Sequence, residues 1–202
     1  DIEFIKTVVL EDLYIEDQHQ DSLLFAHKLK VDIGMYNLEQ NSFSVKALAL
    51  DQAKFHLRMY KGEDESNMQF IIDYFSGPVD TTKKNTPPLH LHANRVQITN
   101  TEFIFHDENH LNTDPQVVNF SDIFLTGFNI DAENFDLRGN EIKAQVKTLS
   151  LREKSGFELD QLSTFFHMTP TQMEFSRLDI ETPRSSIKRY FCMKYDSIAD
   201  MS

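Results

Sequence analysis

The chain has 202 residues, with 32 Asp and Glu against 20 Lys and Arg, a formal charge of −12; that sign repels phosphate backbones and anionic headgroups, so nucleic acid is not an expected partner. A content of 40% hydrophobic and 11% aromatic residues, including 17 Phe, is too rich for disorder, although mean hydropathy is only −0.43. One cysteine, Cys192, excludes an internal disulfide and a thiolate zinc centre.

Alternation of apolar and polar residues, the mark of half-buried strands, recurs along the chain. Val8, Leu10, Leu13 and Ile15 come first. Phe25, His27, Leu29, Val31, Ile33 and Met35 are expected on one face, with Lys28, Lys30 and Asp32 on the other. Phe55, Leu57 and Met59 then alternate with Lys54, His56 and Arg58. Ser66 is placed to cap a helix over 67–75, which Gly77-Pro78 would stop. Val96 and Ile98 lead to Phe103 and Phe105. Ile123, Leu125, Phe128 and Ile130 follow, with a change of phase at Gly127. Phe135, Leu137, Ile142, Ala144, Val146, Leu149 and Leu151 continue the pattern. A second helical turn is expected over Gln161–His167, ended near Pro170. Met173, Phe175, Leu178, Ile180 and the run from Ser186 to Tyr195 close the chain. The expected fold is mostly β, with repeated antiparallel strands forming a curled sheet or groove and one or two short helices, because short connections favour antiparallel neighbours.

An internal repeat is visible. Val45-Lys46-Ala47-Leu48-Ala49-Leu50 resembles Val146-Lys147-Thr148-Leu149-Ser150-Leu151. In both copies Val and the next Leu are three apart, so a β-bulge or bend is expected there. Val8, Leu10, Leu13, Ile15 and Asp17 likewise match Val96, Ile98, Phe103, Phe105 and Asp107. The division drawn from this is a first β unit over 1–77, a linker over 78–87 and a second β unit over 88–202. No apolar run approaches the roughly 20 residues that span a bilayer. Asp1 stands inside an apolar stretch and Ser202 follows a strand-like run, so the chain reads as a segment of a longer protein, with any targeting signal or membrane anchor outside it.

Residues able to carry chemistry are few. The six Gly are scattered, which leaves no phosphate loop and no nucleophile elbow. Cys192 is expected to be an idle thiol. His90 and His92, two apart on a strand, share a face, and His106 and His110 flank Asp107 and Glu108. Paired imidazoles can hold zinc, but no third ligand is fixed by spacing, so surface histidines are expected and no metal. Asp12, Glu16, Asp17, His19 and Asp21 form an acidic cluster without the turn Gly and terminal Glu of an EF-hand, so a solvated loop is expected. Asn119-Phe120-Ser121 matches a glycosylation acceptor and is taken as coincidence within a strand. The Phe-rich stripe is either a closed core or an open apolar groove. No catalytic residue and no cofactor is expected.

Ser163-Thr164-Phe165-Phe166-His167-Met168-Thr169 leads to Leu178-Asp179-Ile180-Glu181-Thr182-Pro183-Arg184-Ser185-Ser186, closed by Tyr195-Asp196-Ser197. This run resembles the large TamB/AsmA-like envelope proteins of Bacteroidetes-type bacteria, and 9–17 and 67–75 are similar to upstream pieces of the same region. The resemblance implies repeated β-strands curled into a groove, β-taco-like, in the periplasm, tied to the inner membrane by a helix outside this segment. It implies a part in outer-membrane protein assembly or phospholipid transfer, with outer-membrane assembly proteins and phospholipid or another apolar chain as partners. The family pattern carries no catalytic residue. The residues expected to line such a groove are Phe25, Leu29, Ile33, Phe55, Leu57, Phe103, Phe105, Phe128 and Ile130. The alternative is a β-sandwich interaction domain that binds a protein or glycan in the cell envelope.

Overall fold

The structure is a computed structural model that describes residues 6–37, 40–71, 87–110 and 119–196. The alternating segments form nine strands: β1 (Thr7–Glu16), β2 (Ser22–Asn37), β3 (Ser42–Met59), β4 (His90–Asp107), β5 (Asp122–Arg138), β6 (Glu141–Glu153), β7 (Glu158–Thr169), β8 (Gln172–Glu181) and β9 (Ser186–Lys194). They pair in sequence order in one mixed sheet that does not close. The fold is mostly β, as the alternation requires.

Two local expectations are corrected. Strands β3 and β4 pair in parallel, Ser42 with His90 through Met59 with Asp107, while the other seven neighbouring pairs are antiparallel. The connection between them runs from residue 60 to 89, long enough for the crossover a parallel pair needs. Gln161–His167 lies inside β7 and is not helical. Thr164, Phe165 and Phe166 favour a pleated surface, and β7 has a strand on each side to satisfy its backbone. Pro170 falls in the turn that follows. Of the helix expected over 67–75, one turn at residues 69–71 is present and residues 72–75 lie outside the described residues. So does the expected linker over 78–87, except for Pro87.

The repeat is reproduced in the register. Asp32 pairs with Ala47 and Ile33 with Val45, which leaves Lys46 unpaired toward β2. Asp131 pairs with Thr148 and Ala132 with Val146, which leaves Lys147 unpaired toward β5. The same lysine of each copy is therefore the extra residue of a bulge. The phase change at Gly127 is likewise real: its φ is +56°, and the register shifts between Thr126 and Asn129.

A second set of breaks lies along one line. Asp12 in β1, Gln52 in β3 and Asn100 in β4 have φ of 50°, 49° and 51°. Their flanking pairs, Leu13 with Ala26, Ala26 with Ala53, and Asp51 with Thr99, place them on one rung of the sheet. A left-handed residue bends a strand and resets its alternation, so apolar side chains of opposite parity meet on the inside of the bend. The smallest side chains sit in that angle: Ala26, Ala53 and Thr101 are 0%, 3% and 5% exposed.

Packing is confined to neighbours: every inter-strand contact of the described residues joins strands adjacent in the sheet. The buried apolar residues are Leu23, Ala26, Ala53, Ala93, Ala132, Leu159 and Leu178, most of them alanines. None of the described phenylalanines is buried. The sheet is a single layer.

Candidate functional site: an open apolar face

Residues directly opposed in a ladder point to the same face. Leu10 pairs with Leu29, Leu29 with Leu50, Leu50 with Ile98 and Ile98 with Ile130. Ile130 pairs with Leu149, Leu149 with Leu162, Leu162 with Ile180 and Ile180 with Ile187. One aliphatic side chain from every strand thus forms a row across the whole sheet, about 38 Å long at ~4.8 Å per strand. The row is half-buried along its length, and its ends, Leu10 and Ile187, are 41% and 55% exposed.

Further apolar rows flank it. Ile15, Leu24, Phe55, Phe103 and Leu125 are opposed in turn, and the Phe55 and Phe103 rings stack at 5.7 Å. Leu57, Phe105 and Ile123 form a shorter row beside them. At the other end Ile142, Met168, Met173 and Met193 are opposed, as are Ala144, Phe166, Phe175 and Phe191. Phe175 is 5.1 Å from Phe166 and 5.9 Å from Phe191, both tilted, a favourable aromatic arrangement.

Of the residues expected to line a groove, Leu29 and Ile130 are in the long row, and Phe55, Leu57, Phe103 and Phe105 are in the flanking rows. Ile33 is opposite Val45, which pairs with Ala93, and Phe128 is opposite Thr101 in the bend. Phe25 points away from the rest. It pairs with Tyr14 and Lys54, whereas its neighbour Leu24 pairs with Phe55. The strict alternation read over Phe25–Met35 is broken at the bend near His27 and again between Ile33 and Tyr36, and Met35 is 79% exposed. The residues expected to line a groove did not include Leu10, Leu50, Ile98, Leu149, Leu162, Ile180 and Ile187 of this row. All but Leu162, which was expected in a helical turn, lie in alternating runs, but only the register reveals that they align.

The opposite face is polar and paired. Lys54 meets Glu102, Arg95 meets Asp131 and Lys147 meets Glu133 across strands. Seven of the eight histidines lie within 3.4 Å of a carboxylate. His90 and His92 share a face as expected, and both reach Asp136, at 2.8 and 3.4 Å. Burial opposes ionisation of Asp136, but the hydrogen bond and charge of His90 outweigh it and lower its pKa. His106 meets Asp122, and His110 meets Asp107. The eighth, His56, is held below its ordinary value by burial and by Arg58. A shallow cleft of about 490 Å³ on this face includes Asp136, Lys143, Phe165, His167 and Glu174. Lys143 and His167 there converge on Glu141 at 2.6 and 2.7 Å. Among the described residues no His, Cys, Asp and Glu cluster suits a metal.

The acidic cluster near Asp17 is a structural cap. Asp17 is 6% exposed and accepts from the His19 and Asp21 amides, the Tyr60 hydroxyl and Asn67 Nδ2, at 2.8 to 3.0 Å. Burial works against its charge, yet these hydrogen bonds hold its pKa below the ordinary carboxylate value. Burial and the same two aspartates, 17 and 21, push the Tyr60 phenol well above its usual range. Asp107, its repeat counterpart, is also buried and caps its turn through the Asn109 amide. Asn119 is in a turn rather than a strand, with Oδ1 accepting from the Ser121 amide. Cys192 is half-buried opposite Glu174, with no histidine on that pairing.

No protein-family model, no curated protein and no solved structure matches this chain. No helix of the described residues is long and apolar enough to cross a membrane. The described strands form one sheet, not the two packed sheets of a sandwich.

Proposed function

We propose that this chain is a non-catalytic segment of a TamB/AsmA-like transport factor of the bacterial periplasm, and that its apolar face carries acyl chains. The observation that supports the reading is the nine-residue aliphatic row, half-exposed on a single-layer sheet with no protein layer over it among the described residues. Contiguous apolar surface of this extent on a folded chain marks an interaction site. Covering a Leu or Ile completely contributes roughly 1.5–3 kcal/mol, so a hydrocarbon chain laid along the row gains substantially from many small contacts. Such a surface has no fixed polar readout and accepts chains without selecting headgroups. Phospholipid is the proposed cargo, and outer-membrane assembly proteins are the proposed partners.

Native mass spectrometry of gently purified protein is expected to show bound phospholipid, and a fluorescent acyl probe is expected to bind. Ile98→Glu with Ile130→Glu should weaken probe binding at least tenfold, whereas Lys54→Glu on the polar face should leave it unchanged. Lipid-free spectra together with absent probe binding would overturn the proposal.

A further inference from the structure

Two bulges frame the shallow cleft on the polar face. Asn134 in β5 has a φ of +53°, and the register to β6 shifts between Glu133, opposite Gln145, and Asp136, opposite Lys143. Arg177 in β8 has a φ of +51°, and the registers to β7 and β9 both shift beside it. A bulge bends its strand. Between the two, β6 and β7 pair without a break from Ile142 with Met168 to Val146 with Thr164. The cleft of about 490 Å³ lies over this stretch, within the ~300–1,000 Å³ of small-ligand sites.

Two neighbouring rows line it. Asp136, Lys143, His167 and Glu174 are opposed in turn, and Gln145, Phe165 and Ser176 are opposed beside them. Phe165 is 38% exposed, and the Arg177 guanidinium lies 5.0 Å from its ring centre. The charges balance, with Asp136 and Glu174 against Lys143 and Arg177. Asn134 and Gln145, whose amides both donate and accept, make no side-chain hydrogen bond to another described residue. An exposed ring beside free amides, without excess charge, suits a ligand with an apolar C–H face and a rim of hydroxyls. That is the chemistry of a sugar ring. An acyl chain would strip water from the amides and replace none of its hydrogen bonds. A charged ligand meets no excess of opposite charge. A peptide that adds as a strand needs an open backbone edge, and β5 to β8 each have a partner on both sides.

We propose that this cleft binds a short neutral oligosaccharide, with one sugar ring stacked on Phe165 and hydroxyls bonded to Asn134, Gln145 and Ser176. The site lies on the face opposite the aliphatic row and does not rest on the acyl-chain reading. The cleft is shallow, so binding is weak and readily reversed.

Saturation-transfer NMR of the whole chain with maltotriose and with tri-N-acetylchitotriose tests this, with tetra-alanine and tetraglutamate as controls. At least one trisaccharide should receive saturation, strongest at its ring C–H protons, while neither peptide does. Phe165→Ala should weaken binding about tenfold, as loss of a stacking anchor does, and Gln145→Ala should weaken it less. Both variants should keep the wild-type circular dichroism; should Phe165→Ala unfold the chain, Gln145→Ala carries the test. A fluorescent acyl probe should bind Phe165→Ala as it binds wild type, which separates this site from the lipid face. Binding of neither trisaccharide overturns the proposal. So does sugar binding that survives both substitutions, or tetra-alanine binding that depends on Phe165.

Discussion

At the scale of single residues, carboxylates of the polar face and of the turns that cap strands are held ionised by their neighbours. Hydrogen bonds overcome burial at Asp17, Asp107 and Asp136. At Asp122 the hydrogen bond from Lys154 leads, and at Glu141 that from Lys143. All five are lowered in the folded state, from 3.8 for the aspartates and 4.5 for Glu141. Their ionised forms therefore stabilise the fold at any pH above those ordinary values. That contribution is lost as pH falls through the depressed values. Asp17 tests the point best, because it is buried with four donors. Asp17→Asn should cost about 2 kcal/mol at neutral pH. The gap from wild type should narrow as pH drops below 3.8, where the unfolded carboxyl takes up a proton that the native one, with its lowered pKa, still refuses. Urea unfolding across a pH series measures it, and a gap that is constant with pH would contradict the assignment. The equivalence of Asp17 and Asp107 was legible in the repeat. Their role as turn caps was not, because the donors to Asp17 include Tyr60 and Asn67, far along the chain.

At the scale of elements, the strands are long because they bend instead of ending. Asp12, Gln52 and Asn100 adopt left-handed backbone inside strands. A non-glycine residue is disfavoured there by roughly 1–2 kcal/mol, and least so for Asn and Asp. Gln52 is exposed, so its substitution isolates the backbone effect. Gln52→Gly should raise stability by about 1 kcal/mol and Gln52→Val should lower it by a similar amount. Thermal unfolding of the two variants checks this, and equal effects would mean that the bend is not set by backbone strain. The bulges at Lys46 and Lys147 were predictable from the three-residue Val–Leu spacing. The bend through His27 was not, because His27 fits the alternation of Phe25 and Leu29. That is why Phe25 was assigned to the wrong face.

At the scale of the whole molecule, stability is passed from strand to strand, with no central core among the described residues. Strands β3, β4 and β5 are covered on both edges by long partners, whereas β1 and β9 have one neighbour each. Opening free energy should therefore fall from the middle of the sheet outward. Hydrogen exchange of dilute protein is expected to show the slowest amides in β3–β5 and the fastest in β1 and β9. Uniform protection would point to a cooperative core that the described packing does not contain.

Local chemistry written in the sequence determined the β character, most strand positions, and the repeat with its bulged lysines. Alternation and turn residues act within a few positions of chain, so they are readable without a partner. The tertiary structure decided what depends on register between distant segments. It joined β3 to β4 in parallel and drew Gln161–His167, where a helical turn was expected, into strand β7. It aligned one aliphatic residue from each of nine strands into a single row. It also left the described phenylalanines half-exposed or exposed instead of closed into a core, because a sheet with no second layer among the described residues has nothing to bury them against.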